Sequence, residues 1–180
     1  MSTRLGPVLA ALLLLSGCIY APRGVEGVSG GEGWIALPLR GWLAEGRGQP
    51  EAIVACLSAD CPHRLTVALI TLRGEDARTA EAVMRDPERL AVHLRERDEA
   101  DKDPRRAGIR SDVRIRSIGS ADAPGFAITL SRADGRRPPA HAAAQGRLRG
   151  ESLEIILAVG DDEAATLAAL RQASEARLKR

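Results

Sequence analysis

The chain has 180 residues, a formal net charge of +2 and 28% charged side chains. This length suits one domain with a real hydrophobic core, and the near-neutral balance supplies no global field for nucleic acid. Two tryptophans, one tyrosine and one phenylalanine are too few for a surface that stacks bases or sugars. Nucleic acid is therefore not expected as a partner.

The N-terminal residues have the layout of an export signal. Arg4 precedes an apolar run over 5–15, which is too short to span a bilayer of about 30 Å. The sequence Leu15-Ser16-Gly17-Cys18 follows and resembles a bacterial lipobox. That resemblance implies removal of the signal peptide, residues 1–17, and acylation of Cys18 with chains such as palmitate. The alternative for the apolar run is a buried N-terminal helix.

The residue after the cysteine bears on the membrane address. In Gram-negative lipoproteins that this signal resembles, an aspartate there often marks retention in the inner membrane. Ile19 stands at this position, so the resemblance favours the outer membrane, with the domain facing the periplasm. Residues 18–33 hold five glycines and one proline and predict a flexible tether after the lipidated cysteine. Residues 34–180 are expected to form a single domain.

Apolar patterning over this domain predicts seven strands and two main helices. The strands are expected over 34–43, 52–57, 65–72, 109–118, 126–130, 140–148 and 153–159. An apolar stripe from Ala80 to Leu94 predicts the first helix, with Asp76 as its N-cap. At Pro87 this helix is expected either to kink or to restart with Asp86 as a new cap. Asp161 is expected to cap the C-terminal helix.

The predicted order is three strands, a helix, four strands and a helix. It indicates an α+β domain in which an antiparallel sheet of about six to seven strands carries two helices. That order is similar to the PsbP-like family of small exported domains, several of which are lipid-anchored. The similarity covers roughly residues 34–178 and rests on element order alone, so it implies a fold and assigns no site residues.

Cys56 and Cys61 are a close pair in a chain expected to be exported. An oxidising compartment favours a disulfide between them, closing a hairpin loop. Free or redox-active thiols are an alternative, although redox pairs more often have two intervening residues. A metal site with His63 is another, and it would need His93 or His141 as a further ligand.

Two patterns could be read as catalytic. Ser58, Asp60 and His63 contain the residue types of a hydrolase triad, but the chain has no Gly-x-Ser-x-Gly elbow. The acidic clusters Glu75-Asp76 and Asp161-Asp162-Glu163 could be paired acids or a calcium site. Both stand where a helix is expected to begin, and acidic residues are favoured there electrostatically. We expect no catalytic residues, no cofactor and no metal.

Arginine is concentrated on one predicted hairpin and the strands after it. Alternation puts Arg110, Arg114 and Arg116 on one exposed face. Further arginines follow along the chain: Arg132, Arg136, Arg137, Arg147 and Arg149. Such a patch would suit lipopolysaccharide phosphates, peptidoglycan carboxylates or an acidic protein. The alternative is an ordinary solvated face, balanced by local acids such as Asp112.

These observations favour a lipid-anchored, non-catalytic envelope lipoprotein that acts as an interaction or structural module. Its expected partners are the membrane, through the N-terminal lipid, and an envelope protein or anionic envelope polymer. A periplasmic domain that binds a small ligand or a metal is the second interpretation, and an enzyme is the third.

Overall fold

The computed structural model describes residues 24–28, 33–36, 50–88, 90–92 and 111–178. Within these ranges seven strands form one antiparallel sheet, in the spatial order β1-β2-β3-β7-β6-β5-β4. The strands are β1 (Trp34–Ala36), β2 (Pro50–Cys56), β3 (Leu65–Arg73), β4 (Ser111–Gly119), β5 (Pro124–Arg132), β6 (Ala140–Arg149) and β7 (Ser152–Gly160). The helices are α1 (Gly74–Arg85), after the third strand, and α2 (Glu163–Arg177), at the C-terminal end. The predicted α+β fold is confirmed.

The two helices pack on opposite faces of the sheet. Ile156 of β7 packs in one core cluster with Leu170 of α2. Its neighbour Ile155, whose side chain points to the other face, packs in a second cluster with Met84 of α1. The central strand β7 is therefore covered on both sides, which is why residues 155–159 are a continuous apolar run rather than an alternating one.

The helix boundaries differ from those predicted. Gly74 begins α1, and Arg73 at the cap position makes no side-chain cap bond, so Asp76 lies inside the first turn. The N-cap of α2 is Asp162, which accepts a hydrogen bond from the Ala165 amide at 2.8 Å. The Asp161 carboxylate instead accepts from the backbone amide of Arg64 at 3.1 Å, and this contact joins β3 to β7. Both predicted caps were wrong. The N-cap of α1 is Arg73 and not Asp76, and the N-cap of α2 is Asp162 and not Asp161.

The chain becomes helical again at Pro87, as in the second of the two alternatives predicted for this proline. Asp86 is the C-cap of α1 and leaves the helical region, with φ −131° and ψ 74°. Pro87 and Glu88 are helical again. A proline at the first position of a helix loses no hydrogen bond, because that position has no intrahelical acceptor.

Residues 24–28 belong to the folded domain rather than to a tether. Val25 is only 4% exposed and packs in the same core cluster as α2, with Val28 against its edge. The sequence predicts a flexible tether over 18–33, and within that range Val25 and Val28 pack beside the helix. Cys18, Arg110, His93 and most of the predicted first strand lie outside the described residues.

Candidate functional site

Helix α2 lies on the sheet over β7 and β6, with lighter contact to β3. Its buried side is made of small and medium side chains, namely Thr166, Ala169, Leu170, Ala173 and Ser174. At its C-terminal end the carbonyl of Leu178 accepts hydrogen bonds from two arginines of β6, Arg147 and Arg149. The helix is therefore held at both ends by polar contacts and in the middle by apolar packing.

One flank of α2, on the side of β2 and β3, is closed by the segment 24–28. Gly27 has φ +84°, and a Cβ on it would lie 2.6 Å from both the Ala176 Cβ and the Gln172 carbonyl oxygen. The segment can pass this close to the helix only because the residue is glycine. We call this side, where Val25 fills the gap between helix and sheet, the closed flank.

The other flank of α2, on the side of β4 and β5, is not filled by any described segment. The sheet there shows small side chains to the helix, Ala127 from β5 and Ala143 from β6, which are aligned by the strand register. Ile118 of β4 and Leu167 of α2 are half-buried at the edges. Small residues beneath the helix leave a groove, which we call the open flank.

Three cavities follow the open flank from one end of α2 to the other. The largest, about 520 Å³, is mainly apolar and is lined by Ile118, Gly119, Gln145, Ala164, Leu167, Leu170 and Arg171. An adjoining polar cavity of about 290 Å³ is lined by Ser120, Asp122, Ala123, Gln145, Arg147, Arg171, Ser174, Glu175 and Leu178. A third, of about 230 Å³, lies near the start of α2 beside Arg114 and Arg116.

The structure does not gather the predicted arginines into one patch. Arg114 and Arg116 project together on the α2 face of β4. Arg132 lies on the opposite face, because it pairs with Ser111, and residues three apart on a strand point to opposite sides. Arg147 and Arg149 share the α2 face but lie at its far end. Anion binding by these arginines stays a prediction.

Five of the seven described arginines of this set already have a side-chain partner in the chain. Arg114 pairs with Asp112 at 3.2 Å, and Arg116 reaches across the open flank to Glu163 at 3.0 Å. Arg132 donates two hydrogen bonds to the Asp134 carboxylate. Hydrogen bonding from Arg132 and from the Arg136 amide holds the pKa of Asp134 below its ordinary value. Arg147 and Arg149 hold the end of α2, as described above.

Arg171 was not among the predicted site residues, yet it is the arginine best placed to meet a ligand. It lines both the apolar and the polar cavity, and no hydrogen bond or ion pair joins it to another described residue. Asp122 lines the polar cavity and is likewise unpaired within the described chain. The sequence signal was weak, because Arg171 also suits the dipole of the helix's C-terminal half.

The cysteine hairpin has a structural arrangement. The Sγ atoms of Cys56 and Cys61 lie 2.01 Å apart, at disulfide distance, and therefore carry no thiol protons. The Ser58 hydroxyl oxygen lies 3.5 Å from the Cys61 sulfur. Gly33 packs against the same pair, since a Cβ there would lie 2.8 Å from that sulfur. The hairpin thus holds the chain leading into β1.

His63 faces Asp161 rather than Ser58. Its Nδ1 lies 3.9 Å from an Asp161 carboxylate oxygen, and both side chains are nearly half exposed. His141 contacts the Thr129 hydroxyl at 3.2 Å through Nδ1. Neither contact builds a nucleophile–base pair, so the geometry does not assemble the hydrolase triad considered for Ser58, Asp60 and His63.

The start of α2 is electrostatically favourable to a carboxylate. The Ala165 amide that donates to Asp162 is the largest cause of the lowered pKa of this carboxyl group, and nearby His63 and His141 lower it further. Partial burial opposes them. Across the described ranges, no three His, Cys, Asp or Glu side chains come close enough to hold a metal ion.

Comparison with known proteins adds no assignment. The sequence matches no protein-family model and no curated protein. Neither helix of the described chain is long and apolar enough to cross a bilayer.

Proposed function

We propose that this protein is a lipid-anchored component of the bacterial cell envelope whose domain acts by binding and not by catalysis. The observation that carries the location is Leu15-Ser16-Gly17-Cys18 after a short apolar run, which resembles a lipobox. Acylation of Cys18, with Ile19 behind it, would hold the domain on the periplasmic side of the outer membrane. In the oxidising compartment that this location implies, Cys56 and Cys61, which lie at disulfide distance, would be joined.

The open flank of α2 supports a binding role. Its largest cavity falls within the range of about 300–1,000 Å³ that is typical of ligand pockets, and it combines an apolar floor with an unpaired guanidinium. The residue types that suggested a hydrolase are engaged elsewhere, with Ser58 at the disulfide pair and His63 at Asp161. A small-ligand module is the second candidate, and the cavity is the observation that favours it.

Intact mass of the protein recovered from bacterial membranes tests the anchor. The wild-type chain should lack residues 1–17 and carry acyl chains, while Cys18→Ser should be neither acylated nor cleaved. Cys56→Ser is the matched control, because it also removes one cysteine but should leave the lipid in place. A wild-type chain with no acyl mass would contradict the proposed location.

A further inference from the structure

The open flank presents three kinds of chemistry in a fixed order. After the small cavity beside Arg116, the apolar cavity follows along α2, Arg171 lines both it and the next one, and the polar cavity comes last with Asp122 in its wall. Gln145 also lines both cavities, so they are adjacent. A ligand that fits this groove has an apolar part, then an anionic group, then a cationic one.

The apolar cavity suits a single hydrocarbon chain. Leu167 and Leu170 of α2 and Ile118 of β4 line it, together with Ala164, which is exposed. On the closed flank Val25 packs into the matching gap and is 4% exposed, and the cavity beside it is smaller, about 200 Å³. The same helix therefore has an apolar seam on both sides, and burial of apolar surface favours an occupant on the side that the chain leaves open.

Arg171 suits an oxyanion such as a phosphate. Its guanidinium makes no bond to the described chain, whereas the guanidinium of Arg147 in the same cavity is already donating to the Leu178 carbonyl. Arginine binds phosphate through two parallel N–H donors, and such charge-assisted bonds are stronger than neutral ones. An anionic group at the mouth of the apolar cavity would give Arg171 a partner.

The polar cavity argues against a ligand that is only anionic. Asp122 adds a carboxylate that is unpaired within the described chain, while Arg147 is already donating to the Leu178 carbonyl. A second anionic group beside Asp122 would be repelled by it, while an ammonium group would meet its carboxylate. Ser174 is also in this wall, and its buried Oγ has no hydrogen-bond partner in the described chain.

We propose that the open flank binds a zwitterionic phospholipid with one acyl chain. The chain lies in the apolar cavity, the phosphate binds Arg171, and the ammonium group faces Asp122. The proposal deepens the binding role argued above and rests on it, since a domain anchored at a membrane meets such lipids continually.

Native mass spectrometry of the full-length chain, in a detergent with a neutral sugar head, tests this assignment. The detergent has a hydrocarbon chain but no phosphate or ammonium group, so it competes only for the apolar cavity. Lysophosphatidylethanolamine should add one molecule per chain at low micromolar concentration, and lysophosphatidylglycerol with the same acyl chain should bind several-fold more weakly. Equal binding of the two lipids, or binding of neither, would overturn the proposal.

Three variants locate the adduct in the groove. Arg171→Gln should weaken lysophosphatidylethanolamine binding on the order of tenfold, because it removes a charge-assisted contact. Asp122→Asn should weaken it by about two- to fivefold, as expected for an exposed ion pair, and should leave lysophosphatidylglycerol binding unchanged. Ala164→Trp should abolish both adducts by filling the cavity that Ala164 lines.

Arg78→Gln is the matched control, because Arg78 is an exposed arginine on α1, on the other face of the sheet. It should bind both lipids like the wild type. The proposal fails if Arg171→Gln or Asp122→Asn binds lysophosphatidylethanolamine with the same affinity as Arg78→Gln. In that case Arg171 and Asp122 do not contact the lipid. The same spectra report the mass of the chain, so absent acylation of Cys18 is seen separately from absent lipid binding.

Discussion

The two flanks of α2 start from the same helix and the same sheet but are completed differently. On the closed flank the chain supplies its own filler, and Val25 is 4% exposed between helix and sheet. On the open flank Leu167 and Ile118 are left half-buried around a cavity of about 520 Å³. The difference lies in the chain before β1, which covers one side only.

The difference between the two flanks shows how a small domain can be stable and still keep an open binding groove. The side chains that hold α2 in place are Leu170 and the small residues beneath it, and they are buried whichever flank is filled. Leaving one seam open costs apolar burial on that side but creates a site lined by a rigid helix and rigid strands. Sites on such elements are held more precisely than sites on loops.

The largest expected effect is a break of the closed flank. Gly27→Ala should lower the free energy of unfolding by about 2–3 kcal/mol, because it combines a non-glycine residue at positive φ with a clash against α2. Gly24→Ala is the control, since a Cβ there meets nothing within 4 Å and its φ is ordinary; it should change stability by less than about 0.5 kcal/mol. Urea unfolding measures both, and equal values would show that the closed flank does not contribute.

A smaller loss is expected from the hairpin that anchors the chain between the closed flank and β1. Replacing both Cys56 and Cys61 by serine should lower the free energy of unfolding by about 2 kcal/mol, as expected for a short disulfide loop. Lipid binding at the open flank should be unchanged. Reduction of the wild type should reproduce the loss in a thermal or urea melt, and a double variant as stable as the wild type would contradict this assignment.

The smallest expected effect is a loss of stability at acid pH. It concerns both flanks, because Asp162 caps the helix that lies between them. Its pKa is lowered in the folded chain, so its stabilisation is complete above the ordinary aspartate pKa of about 3.9 and is lost as the pH falls below it. Asp162→Asn keeps an acceptor at the cap but does not titrate. The difference in Tm between wild type and variant should therefore shrink on acidification below about pH 4. A difference that grows below that pH would contradict the lowered pKa.

Much of the fold could be predicted from local pattern. The alternation over β4 and the continuous apolar runs of β2, β3 and β7 depend on which faces are buried, and that is recorded directly in the sequence. The same runs indicate cover on both faces of the sheet. These runs do not indicate which helix covers which face of the sheet, because that depends on long-range packing.

The site was harder to predict for the same reason. The register of β4 with β5 puts Arg132 on the face opposite to Arg114, whereas a patch was expected from proximity in sequence. Arg171 and Asp122 are 49 positions apart, and only the pairing of β4 with β5, and of β5 with β6, brings the Asp122 turn to the side of α2. The run of alanines in β6 was the one signal of a groove, since small residues beneath a helix leave space.

Photo-crosslinking in living cells tests most directly whether the open flank is the working surface. A photoreactive side chain at position 164 lies over the apolar cavity, whereas one at position 172 is exposed on the same helix and lies outside the described cavities. The account predicts adducts from position 164, with the mass of a lipid or a partner, and none from position 172. Equal adducts from both positions, or none from position 164, would contradict it.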